Sequence, residues 1–264
     1  MTSFLIDSHV HLYPCFDINK AINKSWNNFA SIEKKAAGIN KNVKRVWLLT
    51  ERSDMHMFTT LFHVQLTNYT PKPGKDNCLY LVEKATEKAL IIFPGRQIIT
   101  HERLEICALG CDVIIQDRLL STRDVIIKVL DQGGIPAVNW APGKWFGKRG
   151  RLVSELFDQF SPEELLISDT TMRPAVWTTP RLISAARRQG FQMVCGSDPL
   201  PFPGEEKWLG SYCTLASGTW NDDRPLDSLK NLLLQPQHSL RICGNRSGLL
   251  SFINRQYKIM KKNK

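Results

Sequence analysis

The sequence predicts one α/β domain folded as a TIM-like (β/α)7–8 barrel, closed or distorted. Three observations lead there. Short apolar strand candidates alternate with longer helical patterns, which implies parallel βαβ units. Seven or eight such strands over 264 residues suit a barrel better than a doubly wound sheet. No Gly-x-Gly-x-x-Gly follows the first strand, so a dinucleotide-binding sheet is disfavoured.

Strand candidates lie at residues 4–9, 44–50, 78–82 and 89–93. The last continues through Pro94-Gly95 to 97–100, and further strands follow at 105–109, 135–139, 165–168 and 192–195. Helical patterns occupy 19–37, 122–132, 152–160, 179–189, 226–234 and 248–259. Ser121-x-x-Asp124 and Ser161-Pro162-Glu163-Glu164 supply helix-start signals, and Gly133 and Gly190 supply stops. Residues 55–76 fit either a helix or a β insertion. Residues 1–264 read as one domain, with a basic tail from about residue 255 expected to be solvated.

Composition narrows the class. Hydrophobic and charged shares of 42% and 23% are those of an ordinary globular protein. No apolar run approaches the roughly 20 residues that span a bilayer. The N-terminus reaches Asp7 before an apolar leader could form, so a cytoplasmic protein is expected. The seven cysteines contain no Cys-x-x-Cys pair, which points to reduced thiols and not to a disulfide framework or zinc ribbon. A formal net charge of +10 favours an anionic partner. No recognisable nucleic-acid module accompanies it, so a small anionic substrate is favoured over nucleic acid and a membrane partner is not expected.

The first strand, Phe4-Leu5-Ile6-Asp7-Ser8-His9-Val10-His11, alternates with period two. Leu5, Asp7, His9 and His11 then share one face, and Phe4, Ile6 and Val10 the other. Two imidazoles two residues apart at a strand end can converge on one divalent metal. Asp198 closes the run Gln192-Met193-Val194-Cys195-Gly196-Ser197, placed to ligate a metal or to act as general base; the competing use is a turn before Pro199. Asp169 ends a strand in the same way, with Arg173 four residues on, and fits a ligand, an orienter of a histidine or a cap. Glu51 is a weaker ligand candidate. The loop from Asn139 to Arg151 is glycine-rich, basic and aromatic, and its Lys144 and Arg149 suit a phosphate or carboxylate. His56, His63, His101 and His238 have no spaced partners. Neither a Gly-x-Ser-x-Gly elbow nor a Walker-type loop occurs.

Asp7-Ser8-His9-Val10-His11 resembles the opening motif of metal-dependent barrels, the amidohydrolase superfamily and the polymerase-and-histidinol-phosphatase (PHP) domains. The stretch Phe93-Pro94-Gly95-Arg96-Gln97-Ile98-Ile99-Thr100, the run 104–110 and Gly196-Ser197-Asp198 lean toward the PHP pattern. The chain departs from it with Gln97 in place of a glutamate, Glu105 in place of a histidine and Pro199-Leu200 after Asp198. Asn139 or Trp140 stands where a further histidine would fall. The resemblance implies a reduced site with one or two divalent ions (zinc, manganese or iron) on His9, His11 and Asp198, completed by Glu51, Glu105 or Asp169. The function it implies is a metal-dependent hydrolase in which activated water attacks an anionic substrate, a phosphoester first. Lys144, Arg149 and Arg173 would bind that substrate. An amide or lactone hydrolase and an inactive barrel kept for binding are the alternatives. Substrate, metal identity and oligomeric state stay open at this level.

Overall fold

The computed structural model describes residues 1–40, 42–235 and 238–262. Its elements run β1 (Thr2–Val10), α1 (Ile18–Lys35), β2 (Val43–Leu49), α2 (Met57–Leu61), β3 (Tyr69–Pro73), β4 (Leu79–Glu83), β5 (Ala89–Phe93), β6 (Gly95–Ile99) and β7 (Glu105–Leu109). Then follow α3 (Thr122–Asp131), β8 (Ile135–Asn139), α4 (Gly147–Gln159), β9 (Leu166–Thr170), α5 (Arg181–Arg188), β10 (Met193–Gly196), β11 (Tyr212–Gly218), α6 (Pro225–Leu234), β12 (Arg241–Gly244) and α7 (Leu249–Lys262).

The barrel expectation is overturned. Among the described residues the strands form two mixed sheets and no closed barrel: seven in the order β12-β11-β1-β2-β5-β4-β3, and five in the order β10-β9-β8-β7-β6. The physical reason lies in three antiparallel joins. β1 pairs antiparallel with β11, while β6–β7 and β7–β8 are also antiparallel, so the uniform parallel ladder a (β/α) barrel needs is broken. The chain changes sheet at Pro94: β5 ends in the first and β6 begins in the second. A Cβ on Gly95 would stand 2.1 Å from the Leu49 carbonyl oxygen and 2.7 Å from that of Ala108, so the crossing is tight enough to require glycine.

A shared core fills the space between the sheets. Phe4, Ile6, Val46, Leu48 and Phe93 of the first sheet meet Leu109, Ile135, Leu166 and Val194 of the second, and Leu229, Leu232 and Leu233 of α6 join them. The outer faces pack separately against helices. Leu5, Trp47 and Ile92 pack beside Ile22, Phe29 and Ile32 of α1, and Ile106 and Val138 beside Val125, Ile126 and Val129 of α3.

Helices with strong periodicity and a cap fall near their expected positions. Ser121 accepts from the Asp124 amide at the start of α3, and Asp17 caps α1 through the Lys20 amide. The Ser161 signal starts only a turn, in which the Glu164 carboxylate accepts from the Ser161 amide. The 55–76 region holds both α2 and β3. The helical pattern over 248–259 is helix α7 (Leu249–Lys262), which runs on through the basic residues from about 255 expected to form a solvated tail; its Arg255 is 1% exposed, and residues 263 and 264 lie outside the described residues. Among the described residues, no helix is long and apolar enough to cross a membrane, and the six buried cysteines, Cys78, Cys107, Cys111, Cys195, Cys213 and Cys243, are thiols outside any disulfide.

Candidate metal centre

The site begins with a break in the period of β1. Its register against β2 shifts between Asp7 and Val10, so the inside-outside alternation changes phase. Phe4 and Ile6 point between the sheets and Leu5 points out. Beyond the bulge His9 points inward, toward Cys107, and Val10 points out. A bulge re-aims side chains in this way. It also corrects the single-face reading: Asp7 is turned away from the histidines it was grouped with.

His9 Nε2 and His11 Nε2 lie 3.1 Å apart, and each is 3.7 Å from Asp198 Oδ1. Donor atoms about 2.0–2.2 Å from a tetrahedral zinc stand roughly 3.3–3.6 Å from one another. The three separations fall within about 0.2 Å of that range, so the donor set fits one divalent ion. Two imidazoles and a carboxylate also suit zinc or iron(II) chemically. These three side chains form a metal-capable cluster among the described residues.

Electrostatics agree with the geometry. Two buried rings this close share at most one proton. Burial and the neighbouring His9 ring push His11 down to about 3, leaving it a free donor. Burial opposes protonation of His9 as well, but Cys107 and Asp198 draw it up to about 10. Burial would raise Asp198, yet His9, His11 and Arg255 hold it below its ordinary value. A cation at this point would take the place of the shared proton.

The support around these donors was only partly visible in the sequence. Asp7, fully buried, accepts from the Ser197 amide at 2.8 Å, the Gly210 amide at 2.8 Å and the His9 amide at 3.3 Å. Burial pushes Asp7 up to about 6 against those three donors. Asp7 therefore ties β1 to the turn carrying Asp198. Asp198 adopts a left-handed φ of 46°, and its amide donates to the His9 carbonyl at 2.8 Å. Thr170 donates to Asp198 Oδ2 at 3.0 Å. From α7, Arg255 donates to the Asp198 carbonyl at 2.6 Å and to Thr171 Oγ1 at 2.8 Å. The same guanidinium pairs with Glu205 at 2.9 Å and lies over the Trp208 ring at 5.1 Å.

A cavity of about 570 Å³ opens over His11 and Asp198, with Gln97, Glu105, Asn139, Lys144 and Arg52 among its polar lining and Tyr13, Trp140, Met172, Leu200, Phe202 and Ile259 forming its apolar wall. A larger cavity, about 810 Å³, lies between α1 and β12 and contains none of the metal donors.

The other residues expected at the site are dispersed. Glu105 lines the cavity but is engaged by Lys144 Nζ at 2.5 Å and by Asn139 Nδ2 at 3.0 Å. Glu51 accepts from the Phe58 amide at 2.9 Å and faces Arg96 at 3.8 Å. Asp169 is held by Arg173 at 2.6 and 2.9 Å and by the Tyr212 hydroxyl at 2.9 Å. Arg149 donates to the Gly143 carbonyl. Of Lys144, Arg149 and Arg173, Lys144 alone lines the cavity.

Glu51 gives a pH prediction. Burial, opposed by the Phe58 amide and Arg96, raises it from 4.5 to about 7. The folded chain thus keeps a proton that the unfolded chain has lost, and stability falls as pH rises from about 4.5 to 7. Each unit corresponds to about 1.4 kcal/mol. Glu51→Gln cannot ionise, so urea unfolding should show about 2–3 kcal/mol less pH-dependent loss than wild type across this window. Parallel stability profiles for the two proteins would contradict the assignment.

No protein-family model matches the chain, and no curated protein matches it. Among solved structures, the chain is similar to PsfC from Pseudomonas syringae PB-5123, with a TM-score of 0.57 and 15% identity over 91% of this chain and 92% of that one. A two-domain protein from Bacteroides vulgatus ATCC 8482, described as containing a predicted PHP-like metal-dependent phosphoesterase, gives a TM-score of 0.47 and 13% identity over 91% of this chain and 65% of that one. At these identities the likeness to PsfC is one of fold alone.

Proposed function

We propose that this chain is a metal-dependent hydrolase of small anionic substrates, with a phosphoester as the favoured class. The observation that carries the reading is the convergence of His9, His11 and Asp198 Oδ1 at metal-ligand spacing under an open cavity. A divalent ion there would supply Lewis acidity and lower the pKa of water toward neutrality.

The chain's own groups do the rest. His9 and His11 would hold the ion through Nε2. Asp198 offers Oδ1 to the same point, while Thr170 fixes its Oδ2 and so sets the rotation of the carboxylate. Lys144, oriented by Glu105, places a positive charge at the cavity edge, where it can neutralise a substrate oxyanion. Arg52, which also lines the cavity, adds a second cation. Neither Glu51 nor Asp169 faces this space; of the three carboxylates expected to complete the site, Glu105 lines the cavity, where Lys144 and Asn139 engage it. The apolar wall limits water around the scissile group.

The test is turnover by protein loaded separately with zinc, manganese and iron(II). Metal-dependent release of p-nitrophenol from its phosphate, lost in His9→Ala/His11→Ala, is expected. Turnover of amides or lactones without any phosphoester activity would move the assignment to that substrate class. The same donor set also serves iron(II) oxygen chemistry; selective iron retention with substrate-coupled oxygen uptake would replace the hydrolase reading.

A further inference from the structure

The metal centre leaves unexplained why Asp169, Arg173 and the aromatic half of the 139–151 loop are built as they are. Asp169 and Arg173 are buried and paired bidentately. The free arm of Arg173 donates to the Trp177 carbonyl at 3.0 Å and the Thr178 carbonyl at 3.3 Å. Arg246 donates to the same Trp177 carbonyl at 3.0 Å. This network holds the backbone of a tryptophan that remains 42% exposed.

Trp177 borders a groove of about 510 Å³ lined by Trp140, Trp145, Phe146, Val176, Trp177 and Leu182. Phe146 is 67% and Val176 63% exposed. Three such apolar groups side by side in water point to a ligand. The Trp140 ring meets Trp177 edge-on at 5.8 Å, and the Trp145 indole donates to the Asn139 carbonyl at 3.1 Å, so the three indoles are held in place.

This groove adjoins the metal cavity. Trp140 lines both, and one loop serves both: Asn139 and Lys144 face the metal cavity while Trp145 and Phe146 face the groove. We propose that the groove is the subsite for the organic part of the substrate, an aromatic group whose anionic head lies over His11 and Asp198. The inference rests on the hydrolase reading and narrows it to aryl or arylalkyl phosphoesters. Indole walls favour flat π-systems through stacked and edge contacts, and the volume has room for a bicyclic group.

The test is calorimetric titration of the zinc-loaded full chain with 1-naphthylmethylphosphonate and with methylphosphonate. The naphthyl compound should bind about tenfold tighter or better, from the apolar area it buries. Trp177→Ala and Phe146→Ser should each shrink that preference to about threefold or less, with zinc content still matching wild type. Equal affinities in the wild type, or a preference that survives both substitutions, would overturn the proposal. If neither phosphonate binds, the head-group reading fails, and 2-naphthalenemethanol decides the groove: binding lost in Trp177→Ala supports an aromatic subsite, and no binding rejects it. A dimer in sedimentation that disappears in Trp177→Ala would assign the groove to a second copy of the chain and also reject it.

Discussion

Replacing Arg255 with alanine is expected to destabilise the fold by about 3–5 kcal/mol, because it leaves a buried carboxylate without its partner. That carboxylate is Glu205, 4% exposed and 2.9 Å from Arg255 Nε. The substitution also frees the Asp198 carbonyl and Thr171 from the two arms of the guanidinium. Asp198 sits at a left-handed φ, a conformation that persists only when its surroundings fix it. Metal affinity should therefore fall about 10- to 100-fold, the usual cost of losing a group that orients a ligand. The double substitution Arg255→Met/Glu205→Met separates the two effects. It removes the unpaired charge and should recover most of the stability, yet metal should still bind weakly. Wild-type metal affinity in the double variant would show that α7 only braces the fold.

Gly196→Ala should be about as damaging, by a steric route. A Cβ at this position would lie 2.2 Å from the His9 amide nitrogen and 2.7 Å from His9 Cα. Both are backbone atoms, so no side-chain rotation relieves the clash. β10 and β1 must separate where the two sheets meet and His9 is displaced. Overpacking of this kind costs about 3 kcal/mol, or about 10 °C in Tm for a domain of this size. Metal content should drop with it. A variant that melts and binds metal like the wild type would mean that β1 and β10 are not held in this contact.

The three members of the metal-capable cluster were legible in the sequence because each rests on local pattern. His9 lies near the end of a strand and His11 just beyond it, and Asp198 follows Gly196-Ser197 after the end of another. Helices α1, α3 and α6 were legible for the same reason, through periodicity, with a cap signal at Ser121 for α3. What was not legible depends on distant partners. β11 reads Tyr-Cys-Thr-Leu-Ala-Ser-Gly, which mixes Tyr and Leu with five small residues and lacks a β-branched apolar run, and it becomes a strand by pairing antiparallel with β1. That pairing, with the antiparallel joins of β7, decides against a barrel. The bulge after Asp7 reverses which side chains face inward, and no residue type announces it. Arg255 lies 57 positions from Asp198, near the end of a helical pattern and the start of a lysine-rich stretch that suggests solvent; its role depends on how α7 docks. Glu51 and Asp169 look like ligands from strand-end position alone, but Arg96 and Arg173 lie beside them.

The most direct test is metal content by elemental mass spectrometry on untagged protein, set against the His9→Ala/His11→Ala double variant. The geometry predicts one divalent ion per wild-type chain after incubation with zinc, manganese or iron(II), and none above background in the variant. A wild-type chain that stays empty with all three metals, or a variant that binds as well as the wild type, would contradict the metal centre.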